Sequence, residues 1–387
     1  MKNKEQSPFK AAEILLLSFC HFVHDVYSSF LAPLLPLLIE KLSMSLTQAG
    51  FLSAVMQLPA LLNPFIGVLA DRVSLRYFVI LAPMMTAIPM SLIGLAPSYG
   101  VLMLLLFMAG ISVAMFHVPA PVMIARMAGT KKGRGMSFFM TGGELARTLG
   151  PLTAVGAVSL MGLEGFWPIM VVGIAASWWL YRRFRNVDLS FHNHRKKTPL
   201  ITTFKNMRHV LLPLTFILLA RSFMHGSMTI FLPVFIQSQS GNIWLGGIAL
   251  TLFEAAGVAG VLTAGSLSDY LGRRRMLLIS LVGAPLSVLL FVVSDDWIRI
   301  ASLLGCGFML LSTTPVMLAL IQEHAGDSPA TANGMFMMTA FLARSSVVVL
   351  IGLIADQFGL QTAYFVSAVA GLAGIPFILM LPGRVDS

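Results

Sequence analysis

The sequence is short of charge. Only 11% of its 387 residues are Asp, Glu, Lys or Arg, against about 25% in a soluble globular chain. So few charges cannot clothe a water-facing surface. A soluble globular fold is therefore excluded, and most of the exterior is assigned to lipid. Cysteine is scarce as well. Cys20 and Cys306 each lie inside an apolar run, which excludes a disulfide framework or a CxxC metal site. They read as small buried hydrophobes. There is no Walker loop, no HExxH pair and no Gly-x-Ser-x-Gly elbow. ATP-driven pumping by this chain alone, zinc hydrolysis and serine hydrolysis are therefore not expected. The chain is read as no enzyme, with no metal and no organic cofactor. Acids are scarcer than bases, 16 against 26, giving a net charge of +10. That excess would suit nucleic acid, but the bases lie in short loops between apolar runs, so no nucleic-acid partner is expected.

What is abundant is apolar sequence, 57% of the chain. The runs reach about 20 residues, the length of a helix crossing a bilayer core of roughly 30 Å. They lack the period-2 alternation of a membrane barrel. Twelve transmembrane helices are predicted, at 12–39, 47–69, 77–96, 100–126, 136–161, 165–181, 209–237, 243–267, 276–294, 297–322, 332–355 and 361–381. The first is too long for a signal-peptide core and has no small-residue cleavage site, so it is read as a retained span. Residues 182–208 form the one long polar segment, a basic linker dividing an N-terminal bundle (1–181) from a C-terminal one (209–387). Its His192 and His194 read as solvated loop residues. With the N-terminus inside, 21 of the 26 Lys and Arg fall in inside loops and two, Lys41 and Arg299, outside. This bias predicts that both termini are cytoplasmic.

The two halves repeat each other. Gly67-Val-Leu69-Ala-Asp71-Arg72, closing on Arg76, returns 198 positions later as Gly265-Ser-Leu267-Ser-Asp269, closing on Arg273. Pro121-Val-Met123 returns as Pro315-Val-Met317, and Leu145-Ala146-Arg147 as Leu342-Ala343-Arg344. His24 with Phe30-Leu31 matches His225 with Phe231-Leu232. Agreements in chain order at nearly one offset indicate duplicated six-helix halves, a plan common in alternating-access transporters.

The paired Gly-x-Leu-(Ala/Ser)-Asp segments resemble the signature cytoplasmic loop of the major facilitator superfamily. Ser74 and Tyr270 depart from its usual residues. The resemblance implies an all-α fold of two pseudo-symmetric six-helix bundles, working as a monomer. It also implies that Gly67, Asp71, Arg72, Arg76, Gly265, Asp269 and Arg273 form gating loops that hold the cytoplasmic side closed. More narrowly, His21-Phe-Val-His24-Asp25-x-Tyr27, Phe116-His117-x-Pro119, Ala125-Arg126-Met127-Ala128 and Gly150-Pro151 resemble the fosmidomycin-resistance branch, whose members are bacterial drug exporters. Ala146, Ala154 and Val155 stand where the superfamily's antiporter motif has glycines.

A charge at mid-bilayer costs about 2.5–3.5 kcal/mol on insertion scales, so it normally meets a partner or a cavity. The acids inside spans are Asp25, Glu144 and Glu254, and the bases Arg147, Arg221 and Arg344. His21, His24, His117 and His225 join them. They fall on spans that the resemblance places around a central cavity. His21, His24, Asp25 and Ser28 make one helical stripe, Ser137, Thr141, Glu144 and Thr148 a second, and Arg221, Ser222, His225 and Thr229 a third. Asp25 with His24 is the first choice for proton coupling, with Glu144 and Glu254 as further candidates; a fixed ion pair is the alternative for Asp25. Arg344, Arg147, Arg221, His21, His117 and His225 are the candidate substrate ligands. Glu144 and Arg147, three residues apart, are also placed to pair with each other. Pro119 and Pro121 are expected to break span four beside His117.

The expected function is proton-driven antiport exporting a small anionic or amphipathic compound across a bacterial inner membrane. The alternative is proton symport importing an organic anion. The partners in either case are the solute, protons and the lipid bilayer.

Overall fold

Long apolar runs leave each backbone amide no partner but its own helix, and every run becomes helical. The computed structural model of the chain describes residues 9–63, 65–66, 75–129, 131–186, 200–325 and 329–382. Its elements are helices and turns, with no strand among the described residues. In chain order the helices are α1 (Ala11–Ser28), α2 (Leu31–Leu42), α3 (Leu46–Gln57), α4 (Arg76–Leu92), α5 (Tyr99–His117), α6 (Pro119–Met127), α7 (Lys132–Met161) and α8 (Met170–Phe184). They continue as α9 (Leu200–Gly226), α10 (Leu232–Ser240), α11 (Ile243–Leu271), α12 (Arg273–Val293), α13 (Asp296–His324), α14 (Pro329–Phe358), α15 (Leu360–Leu372) and α16 (Ile375–Met380). Nine stretches among the described residues are long and apolar enough to cross a bilayer. The shorter 46–62 stretch, α7 and α8 bring the number to twelve. Span two continues from α3 into a tight turn at Leu58–Leu62 that carries Pro59. Gly67, Asp71 and Arg72 lie outside the described residues, as do 187–199 of the basic linker.

The chain divides into two compact units. One comprises Met1–Leu38 and Val55–His194, the other Ile39–Ala54 and Arg195–Ser387.

In the first unit, α1 lies tightly along α7. A side chain at Gly142 would stand 2.3 Å from the Ser18 carbonyl oxygen, and one at Gly150 would stand 2.7 Å from Ser29 Cβ. The two glycines are eight residues apart, two helical turns, so they open one face of α7 to the backbone of α1. The broken span four follows from its prolines. α5 stops at His117 and α6 restarts at Pro119, leaving Val118 at the join. Val171, Val172, Trp178 and Trp179 on α8 are exposed, an apolar face suited to lipid.

In the second unit, a cluster of buried apolar side chains from α9, α11, α12, α13, α14 and α16 forms a core. Its first span is not one α-helix. Residues Ser227–Phe231 widen into a π turn before Pro233, and Tyr364 donates to the Ser227 carbonyl there at 2.8 Å. The 39–54 segment is anchored through the start of α3. Ser45 and Gln48 make a reciprocal capping box, the Ser45 N–H donating at 2.9 Å and the Gln48 N–H at 3.1 Å. The Asp356 carboxylate of α14 then accepts from the Leu46 and Thr47 amides at 2.7 and 2.8 Å and from the Thr47 hydroxyl at 2.5 Å. The free N–H groups of the first turn are thus answered.

Candidate functional site

The polar stripe of α1 turns inward. His21, His24 and Asp25 are all buried, one turn of α1 bringing His21 alongside His24 and Asp25. Around the Asp25 carboxylate three imidazoles converge through the same ring atom. His21 Nε2 is 3.1 Å from Oδ2, His117 Nε2 3.1 Å from Oδ1, and His24 Nε2 3.8 Å from Oδ1. His117 joins the cluster from the end of α5, just before the Pro119 that opens α6. Phenylalanine rings wall it in. His21 stacks on Phe139 with centroids 4.0 Å apart, and His24 lies 4.5 Å from Phe116. Gly143 of α7 closes the remaining side, since a Cβ there would stand 2.9 Å from His21 Nε2 and 3.3 Å from Asp25 Oδ2. Ligand-type atoms of His21, Asp25 and His117 lie within 4.8 Å of one another, a spacing that suits one small cation.

The outer faces of the two deeper rings are also engaged. His21 Nδ1 is 2.8 Å from the Phe139 carbonyl oxygen. His24 Nδ1 is 3.0 Å from the Thr86 hydroxyl of α4. Thr86 in turn donates to Ser112 of α5 at 2.7 Å, and Ser112 donates to the Ala82 carbonyl at 2.8 Å.

The stripe on α7 is less available. Thr141 and Thr148 donate to the carbonyls of Ser137 and Glu144 on their own helix at 2.8 and 3.0 Å. Glu144 and Arg147 form an ion pair with each other.

In the second unit Arg221 is buried on α9 and directs Nε and Nη2 to the Leu310 carbonyl at 3.3 and 3.2 Å, with Nη2 3.1 Å from the Thr314 hydroxyl. The guanidinium of Arg344 on α14 lies 4.7 Å above the Phe341 ring. His225 faces the Thr229 hydroxyl at 3.3 Å, and Glu254 is buried on α11. At the end of α11, Arg273 pairs with Asp269 at 2.5 Å and with Glu323 of α13 at 2.9 Å, and also bonds Ser268. Arg76 stacks 5.0 Å over Tyr77.

Thr86, Ser112, Phe139 and Gly143 escape a search for ionisable groups. The hydroxyls leave a faint sign, since each is a polar residue isolated in an apolar helix. The Phe139 carbonyl leaves none, because every helical residue has one.

The Major Facilitator Superfamily pattern matches residues 17–247 and 243–386. The fosmidomycin resistance protein of Escherichia coli (strain K12) is 25% identical over 382 residues, covering 95% of this chain and 92% of that one. The multidrug resistance protein MdtG of Citrobacter koseri is 25% identical over 286 residues, covering 70% and 69%. Among solved structures, the nucleoside transporter NupG superposes with a TM-score of 0.81 at 15% identity, over 96% of this chain and 99% of that one.

Proposed function

Because the chain belongs to the Major Facilitator Superfamily, a family of multi-pass membrane transporters, we propose that it works by alternating access and exports a small anionic or amphipathic compound in exchange for protons. The observation that carries this reading is Asp25, a carboxylate buried within a lipid-embedded helical unit and faced by three imidazoles. A buried charge of this kind demands a compensating positive one. A proton that enters and leaves the cluster supplies it and couples the gradient to transport, with Asp25 and His24 as carriers. Glu254 is the second candidate acid, and Glu144 is tied to Arg147. Similarity to the E. coli fosmidomycin resistance protein supports export. The proton gradient is the energy source, and no cofactor, metal or enzymatic step enters the reading.

Arg344 and Arg221 are assigned to the anionic part of the solute, with His225 beside them. Arg273, Asp269 and Glu323 form the second gating cluster, matched by the loop from Gly67 to Arg76 in the first half. Both termini face the cytoplasm, the halves 1–181 and 209–387 flank the linker 182–208, and a monomer works in a bacterial inner membrane. Arg221 and Arg344 favour a second reading, symport of an organic anion with protons, because a guanidinium's fork of donors suits a carboxylate or phosphate.

Purified protein in liposomes loaded with a pH-sensitive dye tests both. A proton gradient is imposed and fosmidomycin, other phosphonates, simple carboxylates and cationic dyes are added in turn. Proton flux opposed to that of a compound establishes export by antiport. Flux in the same direction establishes import, and no flux with any compound sinks both.

A further inference from the structure

The two deepest histidines present the same ring atom, Nε2, to Asp25. Phe139 offers His21 a carbonyl, which only accepts, so His21 Nδ1 carries a hydrogen. For His24 the logic runs through two hydroxyls. Ser112 gives its single hydrogen to the Ala82 carbonyl, so it accepts from Thr86. Thr86 then has only a lone pair for His24, whose Nδ1 must donate. With Nδ1 protonated, a neutral ring carries a lone pair at Nε2. Both Nε2 atoms are buried without a hydrogen-bond partner, and they face Asp25 at 3.1 and 3.8 Å. In neutral rings those lone pairs would repel the carboxylate, whereas a proton taken up at Nε2 turns the contact into an attraction.

Access to it is graded. Side-chain exposure falls from 37% at His117 to 10% at Asp25, 4% at His21 and 0% at His24. Behind His24 the hydroxyl chain ends on a carbonyl, which has no hydrogen to pass onward, so no proton leaves by that route.

We propose that Thr86 and Ser112 are positioning residues that lock His24 in its Nδ1–H tautomer, making it the blind end of a proton pocket filled through His117 and Asp25. The groups facing His24 are His21 and Asp25 on its own helix, His117 on α5 and, at longer range, Arg147 on α7 through its field at His117. The lock's role in exchange rests on the proton-coupled reading above; the tautomer itself does not.

The test uses full-length protein labelled with 15N-histidine in lipid bilayers, with the His24 signals assigned by their loss in His24→Gln. At alkaline pH, solid-state NMR should show His24 protonated at Nδ1 and bare at Nε2. Thr86→Val, equal in shape but without the hydroxyl, should mix the tautomers, and Thr86→Ser should restore the single form. In liposomes Thr86→Val should move the pH of half-maximal exchange toward acid by about one unit, the effect of losing one hydrogen bond that is stronger to the charged ring. Ser112→Ala should move it the same way by less, and Thr86→Ser should return it. A His24 protonated at Nε2 in the parent protein, tautomers unchanged in Thr86→Val, or an unshifted profile in that folded variant overturns the lock. The expected tautomers with no proton flux in any variant support the lock and sink the proton-coupled reading instead.

Discussion

Asp25 is faced by the imidazoles of His21, His24 and His117 from two helices, none of them a fixed charge. Removing its charge should therefore leave the packing intact and remove the function. Asp25→Asn is expected to fold and to bind solute, yet to lose proton-driven movement; transport of normal pH dependence by this variant would overturn the coupling assignment. Arg344→Ala should weaken binding of anionic solutes by about tenfold or more, the scale of a charged hydrogen bond, and spare neutral ones. Equal losses in a binding titration of both classes would mark Arg344 as structural. The membership of His21, His24 and Asp25 in one stripe was readable from their spacing, and the proline pair pointed at His117. Convergence of all four on one point was not readable, because it depends on the distance between α1 and α5. The stripe on α7 was readable as a pattern but not in its use, since its threonines donate to their own helix.

At the scale of the element, the close fit of α1 on α7 makes a specific demand. A valine at Gly142 would press its Cβ into the Ser18 carbonyl, where 2.3 Å is available, and backbone cannot give way as a side chain can. Gly142→Val should lower stability by about 1–3 kcal/mol or more, read as a fall in melting temperature in detergent, and should separate Phe139 from His21. An unchanged melting temperature would mean that the helices have room to spare. Helix positions were legible because apolar length alone dictates them. The start of α3 was written in Ser45-Leu-Thr-Gln48, a capping box in sequence as in space. The Asp356 carboxylate that completes that cap was not legible, since more than 300 residues separate it from Leu46. The π turn at Ser227–Phe231 likewise has no signature beyond the following Pro233.

For the whole molecule, the duplicated halves were legible because matching residues recur at nearly one offset. The grouping of 39–54 with the second unit was not, because nothing in a chain's order says which stretch will cluster with which. The basic loops predict a cytoplasmic C-terminus. A reporter fused after Ser387 that is active only outside the cytoplasm should stay silent, and activity from it would reverse the assignment. The glycine face of α7 also has a bearing on how the protein is made. The span of α1 carries His21, His24 and Asp25, groups poorly suited to lipid. The helix that covers them begins at Lys132, roughly 100 residues after Ser28. At about 5–20 residues per second, synthesis leaves that stripe without its cover for about 5–20 seconds. Over that interval the nascent span is expected to need shelter from lipid, which the insertion machinery or a membrane chaperone would supply.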